Sequence, residues 1–415
     1  MQEYNEKKGG YLWFARSVMP CAALLFVLSL SFGITQDVHA QEEEELLPAP
    51  FTSVKLSKEG KGSNDPKIAV DGQNVIAIWR DSSRIFVTRS MNGGVSFAPP
   101  VQLTTDGHVP SLAIGGQTVT VAWKRAIRSG FFSLMSHTLW LSRSSDVGGT
   151  LKVPIKISDD VKRPFESSMA IHEQTVIVAW DDKSASGDIW HVRSSNGGAA
   201  FSKPVNFPKK GKGAFKPIVA IHGQRVMIAW TDSSTTVGNR YVMAARSENG
   251  GKTFSKPSQI SKGNVTSVAI HRQDVTVFLR GDGQCHRACF VRSTDGGETF
   301  TKPVGILKQA NNIPAVVGHE KIIAAAWPDY PKIASDSDIY FVSSLNGGTP
   351  FSEPMNLSNS AGHSTAPHVA TNSEAAFVAW REDTPKDKNG APARSEIWMA
   401  RIPLTKPAEE PLPLF

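Results

Sequence analysis

Short runs of nearly continuous apolar residues recur along the chain, most of them ending in tryptophan. They read Val75-Ile76-Ala77-Ile78-Trp79, Val119-Thr120-Val121-Ala122-Trp123, Val176-Ile177-Val178-Ala179-Trp180 and Val226-Met227-Ile228-Ala229-Trp230. Three more follow at 275–279 (Leu279 in place of Trp), 323–327 and 376–380, which makes seven. A strand apolar at nearly every position, with no alternation, must be covered on both faces. Ahead of each run lies another short apolar segment, such as Lys67-Ile68-Ala69-Val70 or Ile218-Val219-Ala220-Ile221. After each comes a loop and a third strand, such as Ile85-Phe86-Val87-Thr88-Arg89, then a polar turn and a fourth, such as Val101-Gln102-Leu103-Thr104. Four antiparallel strands per unit, A to D, in sheets stacked face to face around an axis, predict an all-β, seven-bladed β-propeller. Six blades is the alternative.

The polar turn between strands C and D repeats in six units. It reads Ser90-x-Asn92-x-Gly94-x-x-Phe97, and recurs from Ser144 (Asp146), Ser194 (Asn196), Ser247 (Asn249), Ser293 (Asp295) and Ser344 (Asn346). An Asx side chain can accept backbone N–H groups ahead of it, and glycine supplies a conformation other residues avoid. Six such turns in register, 46 to 54 residues apart, make the sequence resemble the Asp-box (bacterial neuraminidase repeat) family of sialidase-like β-propellers over residues 51–403. Asn stands in four of them where the family more often has Asp. The seventh unit ends at Glu396-Ile397-Trp398-Met399-Ala400-Arg401 without that turn or a fourth strand. At the other end of the chain, Val54-Lys55-Leu56-Ser57 matches Val101-Gln102-Leu103-Thr104 and Met355-Asn356-Leu357-Ser358. The N-terminal strand is therefore expected to complete the last blade and hide its edge.

Composition adds the compartment. Residues 1–40 carry Lys7, Lys8 and Arg16 ahead of an apolar stretch from Val18 to Ile34, then Val38-His39-Ala40. This is the pattern of a signal peptide cleaved before Gln41, with a retained anchor as the alternative. Residues 41–50 read as an acidic linker and 404–415 as a Pro-rich tail. Export suits a secreted or cell-surface protein with no membrane span in the mature chain, and makes a Cys285–Cys289 disulfide plausible if a tight loop brings the two together. A net charge of +7 favours acidic partners, an extracellular glycan or a protein surface. Basic runs such as Lys209-Lys210-Gly211-Lys212 lack the interleaved aromatics of a nucleic-acid site.

In the Asp-box family these turns lie on one face and ligands bind on the other, where strand B ends. That places Arg80, Asp81, Arg125, Asp182, Asp232, Arg280, Asp329, Tyr330, Arg381 and Glu382 as candidate ligand-binding residues. The long segments Lys124 to His137 and Arg381 to Ser395 read as variable loops there. The resemblance also implies an exo-sialidase alternative. Arg80, Arg280 and Arg381 would grip a carboxylate, Tyr330 with Glu382 would supply the nucleophile, and Asp81 the acid. The family's Arg-Ile-Pro motif belongs near the first blade, whereas here it is Arg401-Ile402-Pro403, and its catalytic members have six blades. No catalytic residue and no cofactor is assigned, and the leading reading is a binding or scaffold module. A third reading, metal handling at the surface, would draw on Cys285, His286 and Cys289 or on His172, His222, His271 and His319. Each of the four histidines lies eight positions before the Trp of its strand B (or Leu279 in its place), in the turn between strands A and B. One ion would need these ligands within about two ångströms of it.

Overall fold

The computed structural model describes residues 51–57, 62–129, 134–158, 163–183, 187–207, 213–233, 239–281, 288–306, 314–329, 337–384 and 394–404. The expected signal peptide, acidic linker and most of the tail lie outside the described residues. Among those described, seven four-stranded antiparallel sheets form a ring, a seven-bladed β-propeller. Blade 1 runs through Ser63–Asp71, Asn74–Asp81, Arg84–Ser90 and Val101–Thr104, with the first strand innermost. The inner strands of successive blades pack together, and blade 7 packs against blade 1. No described helix is long and apolar enough to cross a membrane.

The uninterrupted apolar runs follow from this stacking. Val75, Ala77 and Trp79 of strand B pack with Phe377 and Ile397 of blade 7, while Ile76 and Ile78 pack with Val119, Val121 and Trp123 of blade 2. Alternate side chains thus enter different interfaces, and seven apolar clusters fill the seven gaps between neighbouring blades. Alternation survives; both sides are dry.

The last blade consists of His363–Thr371, Ala375–Thr384, Arg394–Pro403 and the N-terminal strand Thr52–Lys55. Val54 pairs with Met399 and Lys55 with Trp398. Leu56 N–H donates to the Ile397 carbonyl at 2.8 Å, and the Ser57 hydroxyl accepts the Ile397 N–H at 2.9 Å. Blade 6 repeats the arrangement with Leu357 and Ser358 on Ile339, at 2.8 Å and 3.0 Å.

One segment expected to be a loop is a hairpin. In blade 2, Thr118–Ser129 and Leu134–Ser144 continue their ladder past Lys124↔Leu139 as far as Ser129↔Leu134. Strands B and C here outrun those of the other blades.

Candidate ligand face

The two faces of the ring differ in how their polar groups are used. On the turn face the six Ser-x-Asx-x-Gly turns share one geometry. Each Ser hydroxyl accepts the N–H of the Gly four residues on, at 2.8 to 3.0 Å. In five turns the Asx oxygen accepts the N–H four residues on, as Ser96 to Asn92 and Ala200 to Asn196, both at 3.0 Å. The sixth, at Asn346, has Pro350 in that position, which has no N–H to give. The Ser144 and Ser293 hydroxyls, above all, hold the Asp146 and Asp295 carboxyls well below the usual carboxylate range. Gly94 sits at φ +84°, where an added Cβ would lie 2.9 Å from the Phe377 ring of blade 7.

A second device ties these turns around the ring. Arginine precedes the turn Ser in five of six units. Arg89 donates to the Asp146 carbonyl of the next blade at 2.8 Å, Arg193 to Gly250 at 2.6 Å and Arg292 to Gly347 at 3.1 Å. Arg401 donates to Gly93 at 2.9 Å, so the staple also crosses the closure. The four histidines lie on this face. His172–His222 and His222–His271 ring centroids are 5.5 Å and 5.1 Å apart. Burial, then the charge of its neighbours His271 and His172, lowers the His222 pKa. Among the described residues, no group of three or more His, Cys, Asp or Glu is placed to hold a metal ion.

The opposite face carries the strand-B exits, and most of its charges are already paired. Arg80 donates to Asp65 at 3.0 Å, to Asn64 at 2.8 Å and to the Ser82 carbonyl at 2.5 Å. Asp81 pairs with Arg84 at 2.9 Å, and Arg125 with Asp106. Arg381 holds Asp383 through two contacts, at 2.7 Å and 2.8 Å. Buried Glu382 accepts from the Ser360 and Ser364 hydroxyls and from the Trp380 indole. Asp182 is buried and accepts the Arg163 N–H at 3.0 Å; Asp232 is buried too. Asp329 closes its strand opposite Asp338, and Arg280 ends its strand exposed. Tyr330, Cys285 and His286 lie outside the described residues, while buried Cys289 is disulfide-bonded. The three arginines of the sialidase alternative stand on blades 1, 5 and 7. Two of them are engaged by carboxylates of their own blades, and Arg280 and Arg381 line none of the larger cavities.

Two cavities open on this face and share Asp65 and Val109. The axial one, about 680 Å³, is lined by inner-strand residues including Lys67, Phe165, Glu166, Lys216 and His368. The second, about 620 Å³, lies over blades 1 and 2 and is lined by Arg80, His108, Lys124 and His137. The inner strands bulge where they line the axial cavity. Asp65, Val109, Lys216 and Ala366 have positive φ, each directly before a proline and fourteen positions before its blade's Trp. Positive φ is costly for a β-branched residue such as Val109, and such outliers gather at functional sites. Burial pushes His368 down to about 3, and Lys67 beside it adds to the effect. His368 Nδ1 accepts the Ile68 N–H at 3.3 Å, which leaves a neutral ring with its proton on Nε2. Burial first, then Arg80 and Lys124 for His108 and Lys124 for His137, lowers both histidines of the second cavity. The lining therefore combines neutral imidazoles with basic side chains.

No protein-family model matches the chain, nor does any curated protein. Solved structures do match in fold. An ulvan lyase, a polysaccharide lyase solved with -[GlcA(1-4)Rha3S]- bound, is 10% identical over 83% of this chain and 95% of its own, with a TM-score of 0.54. A Dyadobacter fermentans protein of unknown function is 15% identical over 72% of this chain and 95% of its own, at 0.50. The Trypanosoma rangeli sialidase in complex with sialic acid is 13% identical over 86% of this chain and 59% of its own, at 0.50. At such identities the likeness is one of fold, the β-propeller.

Proposed function

We propose that the chain is an exported glycan-binding propeller whose binding site is the face where strand B ends. The supporting observation is the pair of adjoining cavities on that face, lined by neutral histidines, basic side chains and the 40% exposed Phe165. Concave sites with a few convergent polar groups and an aromatic surface suit sugar rings, whose hydroxyls need donors and acceptors and whose C–H faces cover an aromatic. The solved propellers with ulvan and sialic acid fragments bound belong to the same fold, which raises the expectation without assigning the ligand. In this reading residues 1–40 are removed on export and Cys289 pairs with Cys285. The serine-Asx turns on the other face, as members of the Asp-box family, act as structure.

The test is a glycan array probed with the mature chain, repeated with Phe165→Ala. Binding that falls with Phe165→Ala supports the reading. Binding to no glycan class removes it, and N-terminal sequencing of exported protein checks for Gln41 at the new terminus.

A further inference from the structure

Across blades 2 to 4 the ligand face carries cations and rings in alternation. Lys124 Nζ lies 4.4 Å from the centroid of Phe165, and Lys183 Nζ lies 5.0 Å from that same ring. Lys183 is also 5.6 Å from the Phe215 centroid, and the Arg240 guanidinium is 5.3 Å from it. The sequence is thus Lys124, Phe165, Lys183, Phe215, Arg240, each ring shared by two cations. Lys124 lies in strand B of blade 2, opposite His108, and lines the second cavity, while Phe165 lines the axial one. The row therefore starts where the two cavities adjoin and runs outward over blades 3 and 4.

The charge of this row is only partly neutralised within the protein. Lys183 pairs with Asp181 at 3.0 Å. Lys124 and Arg240 have no ion-pair partner among the described residues, and Arg240 donates to the neutral amide of Asn264 at 2.9 Å. Elsewhere on this face Arg80, Arg84, Arg125 and Arg381 each face a carboxylate. A ring face attracts a cation without cancelling its charge, so the donors of exposed Lys183 and Arg240 stay available for an anion. Buried Lys124 reaches one through the second cavity that it lines. We infer that the row is an extended subsite for an acidic polysaccharide. Its carboxylate or sulfate groups would meet Lys124, Lys183 and Arg240, and its sugar rings would lie on Phe165 and Phe215. This rests on the glycan-binding reading and adds the chemical class and path of the ligand. A nucleic acid, whose bases need open aromatic faces to stack on, is the competitor that the oligonucleotide arm of the experiment separates.

The experiment measures binding of the mature protein to polygalacturonate, dextran sulfate, unmodified dextran and a single-stranded oligonucleotide at two salt concentrations. The expected result is binding to one or both acidic polymers over dextran, weakened by salt as exposed ionic contacts are. The double variant Lys183→Gln/Arg240→Gln should weaken it about tenfold or more, as loss of charge-assisted contacts predicts. Lys252→Gln, on the opposite face, should leave it unchanged, and unchanged melting of both variants shows that the fold persists. The polymer preferred separates carboxylate from sulfate recognition. Equal binding to dextran, or undiminished binding by the double variant, overturns the inference while the glycan reading stands. Binding to no polysaccharide removes both, and tighter binding to the oligonucleotide overturns the inference in favour of nucleic acid.

Discussion

The closure of the ring by its N-terminal strand can be tested against an internal standard. Leu56 is 5% exposed in blade 7, and Leu357 is 3% exposed in the same position of blade 6. Both follow the outer strand, both donate to an Ile carbonyl at 2.8 Å, and each precedes a Ser that accepts that Ile's N–H. Truncating a buried Leu to Ala costs about 2 to 5 kcal/mol, the transfer of the lost methyl groups plus the cavity left behind. A ring of about 350 residues unfolds with an entropy near 0.7 kcal/mol per kelvin, so a loss of ~3 kcal/mol lowers Tm by about 4 °C. Leu56→Ala and Leu357→Ala should therefore shift the melting curve by similar amounts, measured by circular dichroism at several scan rates. Deleting residues 1–57 should do more, since it leaves Arg394–Pro403 as an open edge free to pair with another chain. Light scattering would then show association. If Leu56→Ala melts with the parent while Leu357→Ala does not, the N-terminal strand does not hold the ring.

Other outcomes follow from the turn face and the core. Gly94→Ala meets both a left-handed φ and the Phe377 ring, whereas Gly72, at φ +56°, has open space around an added Cβ. Gly94→Ala should therefore lower Tm more than Gly72→Ala, and equal shifts would show that the contact is unimportant. Asp146 and Asp295 have depressed pKa values, so their stabilisation is present above the unfolded-state value near 3.8 and fades as pH falls further. Asp146→Asn/Asp295→Asn should accordingly flatten the fall of Tm below about pH 4, and an unchanged slope refutes the assignment. His191 is 7% exposed, stacked on Phe207 at 4.8 Å and edge-on to Phe254 at 4.9 Å, and burial lowers it to about 4. The unfolded chain takes up that proton first, so stability should fall by ~3 kcal/mol between about pH 6.5 and 4. His191→Phe should remove that part of the pH dependence of Tm.

The blades were legible because their cause is local. A strand covered on both faces shows itself in five consecutive residues, and the Ser-x-Asx-x-Gly turn satisfies its own backbone within four. The closing strand was legible for the same reason: Val54 to Ser57 carries the residues that every outer strand needs. The arginine staples were visible as an Arg before five of the six turn serines, but their acceptors are carbonyls in the next blade, which carry no side-chain signal. The bulges of the inner strands were also written in the sequence, as a residue-Pro pair fourteen positions before Asp65's, Val109's, Lys216's and Ala366's blade Trp. Proline inside an apolar segment marks a bulge rather than a break when the next strand still pairs.

The ligand face was harder for a physical reason. Residues that end strand B looked like a ring of free charge because they sit together in each unit. Their partners, however, come from other elements: Asp65 from the inner strand for Arg80, and Asp106 from the connection between blades for Arg125. Pairing removes most of that ring from ligand binding. The row of cations and rings was hidden twice over, since Lys124 depends on Phe165 of the next blade and Lys183 on Phe215 of the one after. Both phenylalanines open inner strands, where an aromatic passes for ordinary core. A repeat therefore announces whatever each unit does for itself, and conceals whatever is built between units. In a propeller the turn face is mostly the first kind and the binding face mostly the second.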